Sequence, residues 1–250
     1  MTELARLEKR DGIARLTLNR PKSRNALSLD LIEALRTRVA QLAKWDDVNV
    51  CVVAGEGKAF CAGMDLRAVL EDPKAPAKLL GAIAELTLEV RALEMVTIAR
   101  AQGAAIGGGC GLVCVCDLAL THREAKLGYP EVDLGVCPAV VAPWLVRRIG
   151  SGPARRMLLT GGLLTGVEAF ERGLVSGLAA NEGELEEAVE SLAGRIRDAA
   201  PRAVRVTKRW LNESQAEGLA DEVRRGAMIS AEVLSEPTAI TTLKRAFESR

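Results

Sequence analysis

The spacing of apolar positions changes period along the 250-residue chain. From Leu4 to Glu8 and from Ile13 to Leu18, apolar and polar residues alternate around Arg10-Asp11-Gly12. This predicts a β-hairpin, because strand side chains point alternately to two faces. After Asn19-Arg20-Pro21, Ser28 stands as an N-cap before Leu31, Ile32, Leu35, Val39 and Leu42. Those residues form a stripe at helical spacing, ending near Lys44. Val50 to Ala54 is uninterrupted, as in a strand covered on both faces. Residues 67–80 mix proline and charge and are expected to form a loop or short helix. Glu85 to Leu93 continues as helix, and Val96 to Ala101 as strand.

Residues 98–118 break both periods. A β-branched apolar run ends at Gly103, Gly107-Gly108-Gly109 turns, and Cys110 to Cys116 is apolar up to Asp117. The pattern reads as strand, turn and buried helix. Glycines let backbone N–H groups approach a ligand, and N–H groups at a helix N-terminus favour developing negative charge. The stretch therefore has the character of half an oxyanion hole.

Further on, Leu118-Ala119-Leu120 and Leu174 to Leu178 read as short strands. Ala139 to Ile149 reads as a helix with Pro143 in its first turn or at a break. Ala154 to Leu159 and Val167 to Gly173 are helical, and the pattern is helical throughout from Glu184. Strands and helices alternate, then helices stand alone. This predicts an α/β core over residues 1–190 and a helical lobe over residues 191–250. The lobe is too short for a core of its own, so it should pack on the first part or on another subunit.

Composition narrows the functions. Net charge is +1 and aromatics are 3%, which argues against a nucleic-acid partner. No apolar run is long enough to span a bilayer, and the start is charged. Six cysteines without a disulfide-framework spacing suggest a reducing, cytoplasmic setting. Cys110, Cys114 and Cys116 lack a histidine at ligand spacing, so no metal is expected. His122, the only histidine, lies between Thr121 and Arg123 and is expected to be solvated. No nucleophile elbow accompanies it. Arg147-Arg148, Arg155-Arg156 and Lys208-Arg209 read as helix surface or subunit contacts.

One ordered set of motifs carries a family resemblance. Asn19-Arg20-Pro21 is followed by Asn25-Ala26-Leu27, and then by Ala59-Phe60-Cys61-Ala62-Gly63-Met64-Asp65-Leu66. Gly103, Gly107-Gly108-Gly109 and Cys116-Asp117 come next, then Pro130-Glu131-Val132, Leu134-Gly135 and Pro138. Leu159-Thr160-Gly161, Glu168-Ala169 and Gly173-Leu174-Val175 complete the set. In this order the chain resembles the crotonase superfamily, the enoyl-CoA hydratase/isomerase family, over nearly its whole length. The resemblance implies a crotonase-like spiral of ββα units with a C-terminal helical lobe, assembled as a homotrimer or a dimer of trimers.

It also implies an acyl-CoA thioester substrate, with CoA belonging to the substrate and no separate cofactor. By position, the N–H groups of Met64 and Gly108 would hold the thioester oxygen, stabilising the enolate charge that develops there. Substrate contacts are implied for Arg24, Ala62, Asp65, Leu66, Arg67, Gly111, Pro138 and Ala139. Arg67 would meet the CoA phosphates, and Phe247 and Arg250 the adenine end. The Glu-Gly that usually marks that tail is absent around Ala239-Ile240-Thr241.

Well-known hydratases of this family use two glutamates. The second is present as Glu131; the first falls on Gly111. Hydration needs water attack at C3 and protonation at C2, which one carboxylate could share. Moving a double bond from C3–C4 to C2–C3 needs one base alone. Chemical economy thus points to a Δ3,Δ2-enoyl-CoA isomerase. Local resemblance points instead to bacterial methylglutaconyl-CoA hydratase-like members, which share the glycine. A hydratase using Glu131 is the preferred reading. An isomerase and a catalytically inactive acyl-CoA binder are the alternatives. Asp133 would share a face with Glu131 in an extended segment, and a turn would separate them.

Overall fold

The computed structural model describes residues 3–71 and 74–248. The predicted hairpin is present as β1 (Ala5–Arg10) and β2 (Ile13–Leu18), antiparallel with Arg10 opposite Ile13. Helix α1 (Leu29–Leu42) then carries the chain back, so β3 (Val50–Gly55) lies parallel to β2. Its start is set as expected: the Ser28 hydroxyl accepts from the Leu31 N–H at 3.3 Å. All five residues of its apolar stripe are buried.

The segment after β3 is more helical than its composition suggests. Residues 67–80 fall largely in α2 (Leu66–Glu71) and α3 (Ala75–Ala92). Pro76 sits in the first turn of α3, where its missing N–H costs nothing. Leu79, Leu80, Ile83, Leu86 and Val90 provide the buried face that makes this helix worth forming.

β4 (Val96–Ala101) returns beside β3. The glycine stretch follows as β5 (Ala104–Ile106) and α4 (Gly108–Val115), and every residue of α4 is buried. Then come β6 (Leu118–His122), beside β4, and β7 (Lys126–Gly128), beside β5. The turn over 129–141 leads into α5 (Ala142–Ile149), with Pro143 in its first turn, and α6 (Ser151–Thr160). β8 (Leu163–Thr165) joins β7; it is too short to show a period in sequence. After α7 (Gly166–Glu171) the last strand, β9 (Gly177–Ala179), starts three residues later than expected. Leu174 and Val175 pack into the core instead.

Two sheets result, one of six strands in the order β1-β2-β3-β4-β6-β9 and one of three in the order β5-β7-β8. Helix α8 (Glu182–Arg197) covers the far face of the large sheet. Its Leu185, Val189 and Ala193 meet Val50, Val52, Ile98 and Leu120 in a separate small core. The division expected at residue 190 thus falls inside a helix that belongs to the sheet. The remaining helices are α9 (Pro201–Glu213), α10 (Leu219–Leu234) and α11 (Pro237–Glu248). α10 lies along α3 and α5, and α11 against the turn at 132–134. No helix of the described residues is long and apolar enough to cross a membrane.

Three groups expected at the surface have structural partners inside the fold. Lys208 is 5% exposed, and its Nζ donates to Asp117 Oδ2 at 2.7 Å and Met95 O at 2.6 Å. Asp117 also accepts from the Thr97 N–H at 2.7 Å. This network pins α9 to the end of α4. Burial pulls the Lys208 pKa down, against the attraction of Asp117. The Arg148 guanidinium donates to the carbonyls of Val113, Cys114, Cys116 and Asp117, capping the C-terminal end of α4. His122 is 9% exposed, and its Nε2 accepts from the Gly103 N–H at 3.0 Å.

Replacing Lys208 by alanine takes from Asp117 the nearer of its two cations, leaving Arg91 at 3.6 Å, and strips the Met95 carbonyl of its donor. Denaturant titration is expected to show a loss of about 3 kcal/mol. Arg209→Ala, at an exposed neighbour, is expected to cost less than about 1 kcal/mol.

Candidate active site

Four short segments, held by backbone pairing, build the site. Asn25 is the first staple. It is fully buried, adopts φ 55° and accepts from the Arg20 N–H at 2.8 Å. Its amide donates to Glu56 O at 3.0 Å and Ala59 O at 2.8 Å. Asparagine tolerates that left-handed backbone and supplies both donor and acceptor. The chain around residue 25 is thereby tied to the loop after β3.

Residues 61–65 run between two neighbours. On one side, Leu27 N–H donates to Gly63 O at 2.8 Å and Asp65 N–H donates to Leu27 O at 3.0 Å. On the other, Cys61 N–H donates to Ala104 O at 2.9 Å and Ile106 N–H donates to Cys61 O at 3.0 Å. Gly63 turns the chain with φ +90°, and across the planar trans peptide that follows, C=O and N–H point in opposite directions. With Gly63 O and Asp65 N aimed at Leu27, the Met64 N–H faces the glycine turn. Gly108 begins α4, so its own N–H has no carbonyl one turn earlier in the helix. Neither amide donates a hydrogen bond among the described residues. A Cβ placed on Gly63 would stand 3.7 Å from Gly108 N, and one placed on Gly108 would stand 4.0 Å from Met64 N.

Glu131 completes the group. It opens the 3-10 turn Val132–Leu134, and its carbonyl accepts from Leu134 N–H at 3.0 Å and Val136 N–H at 2.8 Å. Its carboxyl lies against Gly107, whose φ is +54°. The backbone angle favours glycine, and a Cβ there would come within 2.6 Å of Glu131 Oε1 and displace the carboxyl. Residue 131 as a whole is half-buried, yet Oε2 is sealed from solvent and unpartnered among the described residues. Desolvation pushes its pKa up to about 7.

These groups face a cavity of about 70 Å³. Ala62, Met64, Leu66, Gly108, Glu131 and Pro138 line it, as the sequence suggested. Leu80, Ile83, Val140 and Val141 make the rest of its wall largely apolar. Val141 was not foreseen; only its place among β-branched residues ahead of Pro143 could have marked it. A larger groove, about 600 Å³, lies by Arg91, Asp117, Arg148 and Lys208. Its Asp117, Arg148 and Lys208 are committed to the network above.

Other residues named from the sequence do not line this cavity. Gly111 is buried in α4 but does not reach the cavity, because Val141 stands between. Ala139 packs on α10, where a Cβ on Gly226 would lie 2.3 Å from Ala139 O. Asp65 is a brace: it accepts from Arg20 at 2.7 Å and from the Arg67 N–H at 3.3 Å at the start of α2. Arg67 is exposed, as is Arg24, whose carbonyl accepts from the cavity-lining Ala62 at 3.0 Å. Asp133 turns away from Glu131 and accepts from the Gly162 N–H at 3.1 Å, since the chain there forms a turn. Arg250 and the side chain of Phe247 lie outside the described residues.

A sequence profile of the enoyl-CoA hydratase/isomerase family matches residues 8–246. The chain belongs to that family. Among curated members, a crotonyl-CoA hydratase from Syntrophomonas wolfei is 34% identical over 90% of this chain and 86% of its own length. A 2,3-dehydroadipyl-CoA hydratase from Escherichia coli is 33% identical over 92% of this chain and 91% of its own. The solved structure of Pseudomonas aeruginosa OdaA covers all of both chains with a TM-score of 0.89 at 28% identity. That of Pseudomonas aeruginosa AtuE gives 0.81 at 36% identity over 95% of this chain and 93% of its own. The enoyl-CoA hydratase/isomerase fold is thus present from end to end, as the motifs implied.

Glu131 also has a signature in stability. A carboxyl whose pKa is higher when folded contributes stability below its unfolded value of about 4.5, and that contribution is lost as pH rises through the folded value of about 7. Glu131→Gln removes the late loss. From about pH 4 to about pH 8 the variant should gain about 3 kcal/mol relative to the unchanged chain, measured by urea unfolding.

Proposed function

We propose that the protein is an enoyl-CoA hydratase for short, uncharged 2-enoyl-CoA thioesters. The observation that carries this reading is the meeting of two unpaired amides and one desolvated carboxyl in a largely apolar cavity. The N–H groups of Met64 and Gly108 hold the thioester oxygen. Glu131, as carboxylate, takes a proton from water while the water oxygen bonds to C3. The C2=C3 π electrons move onto the thioester as an enolate, which the two amides stabilise without reorganising. Glu131 then returns the proton at C2 and regenerates its carboxylate. All steps use protein groups and substrate, so no resident cofactor is needed.

None of the described lining residues is cationic, which favours an uncharged acyl chain over the carboxylated ones the sequence brought to mind. Arg24 and Arg67, exposed on either side of Ala62, are suited to meet CoA phosphates at the mouth. Exposed apolar side chains on α9 and α10, among them Val206, Trp210 and Met228, support assembly as a homotrimer or dimer of trimers. Six free thiols are in keeping with a cytoplasmic setting.

One observation favours a second reading. Glu131 is the only carboxyl lining the cavity among the described residues. A 3-enoyl-CoA could lose a proton from C2 to it and regain one at C4, making the protein a Δ3,Δ2-enoyl-CoA isomerase.

Crotonyl-CoA should lose its conjugated-thioester absorbance with enzyme, and heavy oxygen from labelled water should enter the product. A 3-enoyl-CoA gaining absorbance with no label uptake would establish the isomerase instead; turnover of neither would leave only a binder. The active form of Glu131 is the carboxylate, so kcat/KM should climb as pH rises through about 7 and then level off. Glu131→Gln should lower kcat/KM by about 10³-fold and abolish that climb.

A further inference from the structure

A glycine inside a helix costs about 1 kcal/mol against alanine, so Gly111, mid-way along α4, calls for a packing reason. The structure supplies one. A Cβ on Gly111 would come within 2.5 Å of Val141 Cγ1 and 3.2 Å of Val141 Cβ. The second of these atoms is next to the backbone and cannot swing aside. Nor can the backbone retreat. Val140 N–H donates to Ser230 Oγ on α10 at 3.2 Å, and the neighbouring Ala139 carbonyl is packed tightly on Gly226. Val141 N–H donates to Pro138 O at 3.3 Å, while its own carbonyl accepts from Leu145 N–H in α5 at 3.2 Å. Val141 itself is 1% exposed and lines the cavity. It stands between residue 111 and the space where substrate would lie.

We propose that Val141 is the residue that sets the acyl-length limit of this pocket, and that position 111 is glycine because Val141 fills its side-chain space. The proposal rests on the acyl-CoA reading above and adds to it a specificity-determining residue. α10 holds the turn at 138–141 in place, so the cavity wall at 141 is rigid and its position decides what fits. The same methyl keeps a second carboxylate from being built at 111. Glu131 therefore works alone because of the residue opposite Gly111, as much as because of Gly111 itself.

The test uses binding of saturated acyl-CoA thioesters, which cannot be hydrated, measured by calorimetry with acetyl-, butyryl-, hexanoyl- and octanoyl-CoA. Val141→Ala should raise the hexanoyl-to-butyryl affinity ratio at least ten-fold while leaving acetyl-CoA within two-fold. In parallel, Gly111→Ala should lower the melting midpoint by about 3 °C or more, and Val141→Ala should restore it in the double variant. An affinity ratio unchanged by Val141→Ala, or a Gly111→Ala defect that Val141→Ala fails to rescue, would overturn the proposal. If the unchanged protein binds none of the four thioesters, the acyl-CoA reading itself falls and takes the length limit with it. The melting pair then still reports whether Val141 occupies the space at 111.

Discussion

Two stretches of backbone, 61–65 and 104–108, must pair through Cys61 and yet leave the Met64 and Gly108 N–H groups without partners. Everything else in the molecule is arranged around that requirement. Unpaired amides in a folded interior are costly, and ordinary pairing would consume them. The chain avoids this by using the other side of residues 61–65 for Leu27, and by letting α4 begin where the second amide is needed. Asn25 and the ion pair between Arg20 and Asp65 hold the outer segment. Arg148 and the Asp117–Lys208 pair hold the far end of α4. Helices α5 and α9 thus serve the site from a distance, by fixing the helix whose first amide faces the cavity.

Glu131 is the second costly feature. Its carboxyl is stripped of water, and one oxygen has no donor. That arrangement weakens the folded state at neutral pH but raises the carboxyl's proton affinity into the range useful for taking and returning a proton. The unpaired amides and the unpaired carboxyl oxygen face the same cavity. A bound thioester and water would satisfy both sets of groups together, which favours a ligand that develops negative charge at the amides.

The sheet elements and the glycine turn were legible because their signals are local. Alternation marked β1 and β2, an unbroken apolar run marked β3, and the Ser28 cap marked α1. The pairing of Met64 with Gly108, and the presence of Glu131, came from the ordered motifs and not from spacing. What remained hidden is non-local. His122, Arg148 and Lys208 look like surface residues in sequence, since nothing nearby reveals the carbonyls and carboxylate that bury them. Gly111 read as a lost carboxylate; only the approach of Val141 from thirty residues along the chain shows that the space is filled. The three-residue strand β8 and the turn that separates Asp133 from Glu131 are too short to carry a period.

The central claim is that two main-chain amides converge on one carbonyl. Difference infrared spectroscopy of crotonyl-CoA labelled with carbon-13 at the thioester carbonyl, bound to the Glu131→Gln protein so that turnover is blocked, reads that contact directly. The carbonyl stretch should shift to lower frequency than in water, as two preorganised donors polarise the bond. A bound ligand whose stretch stays at its solution value would contradict it.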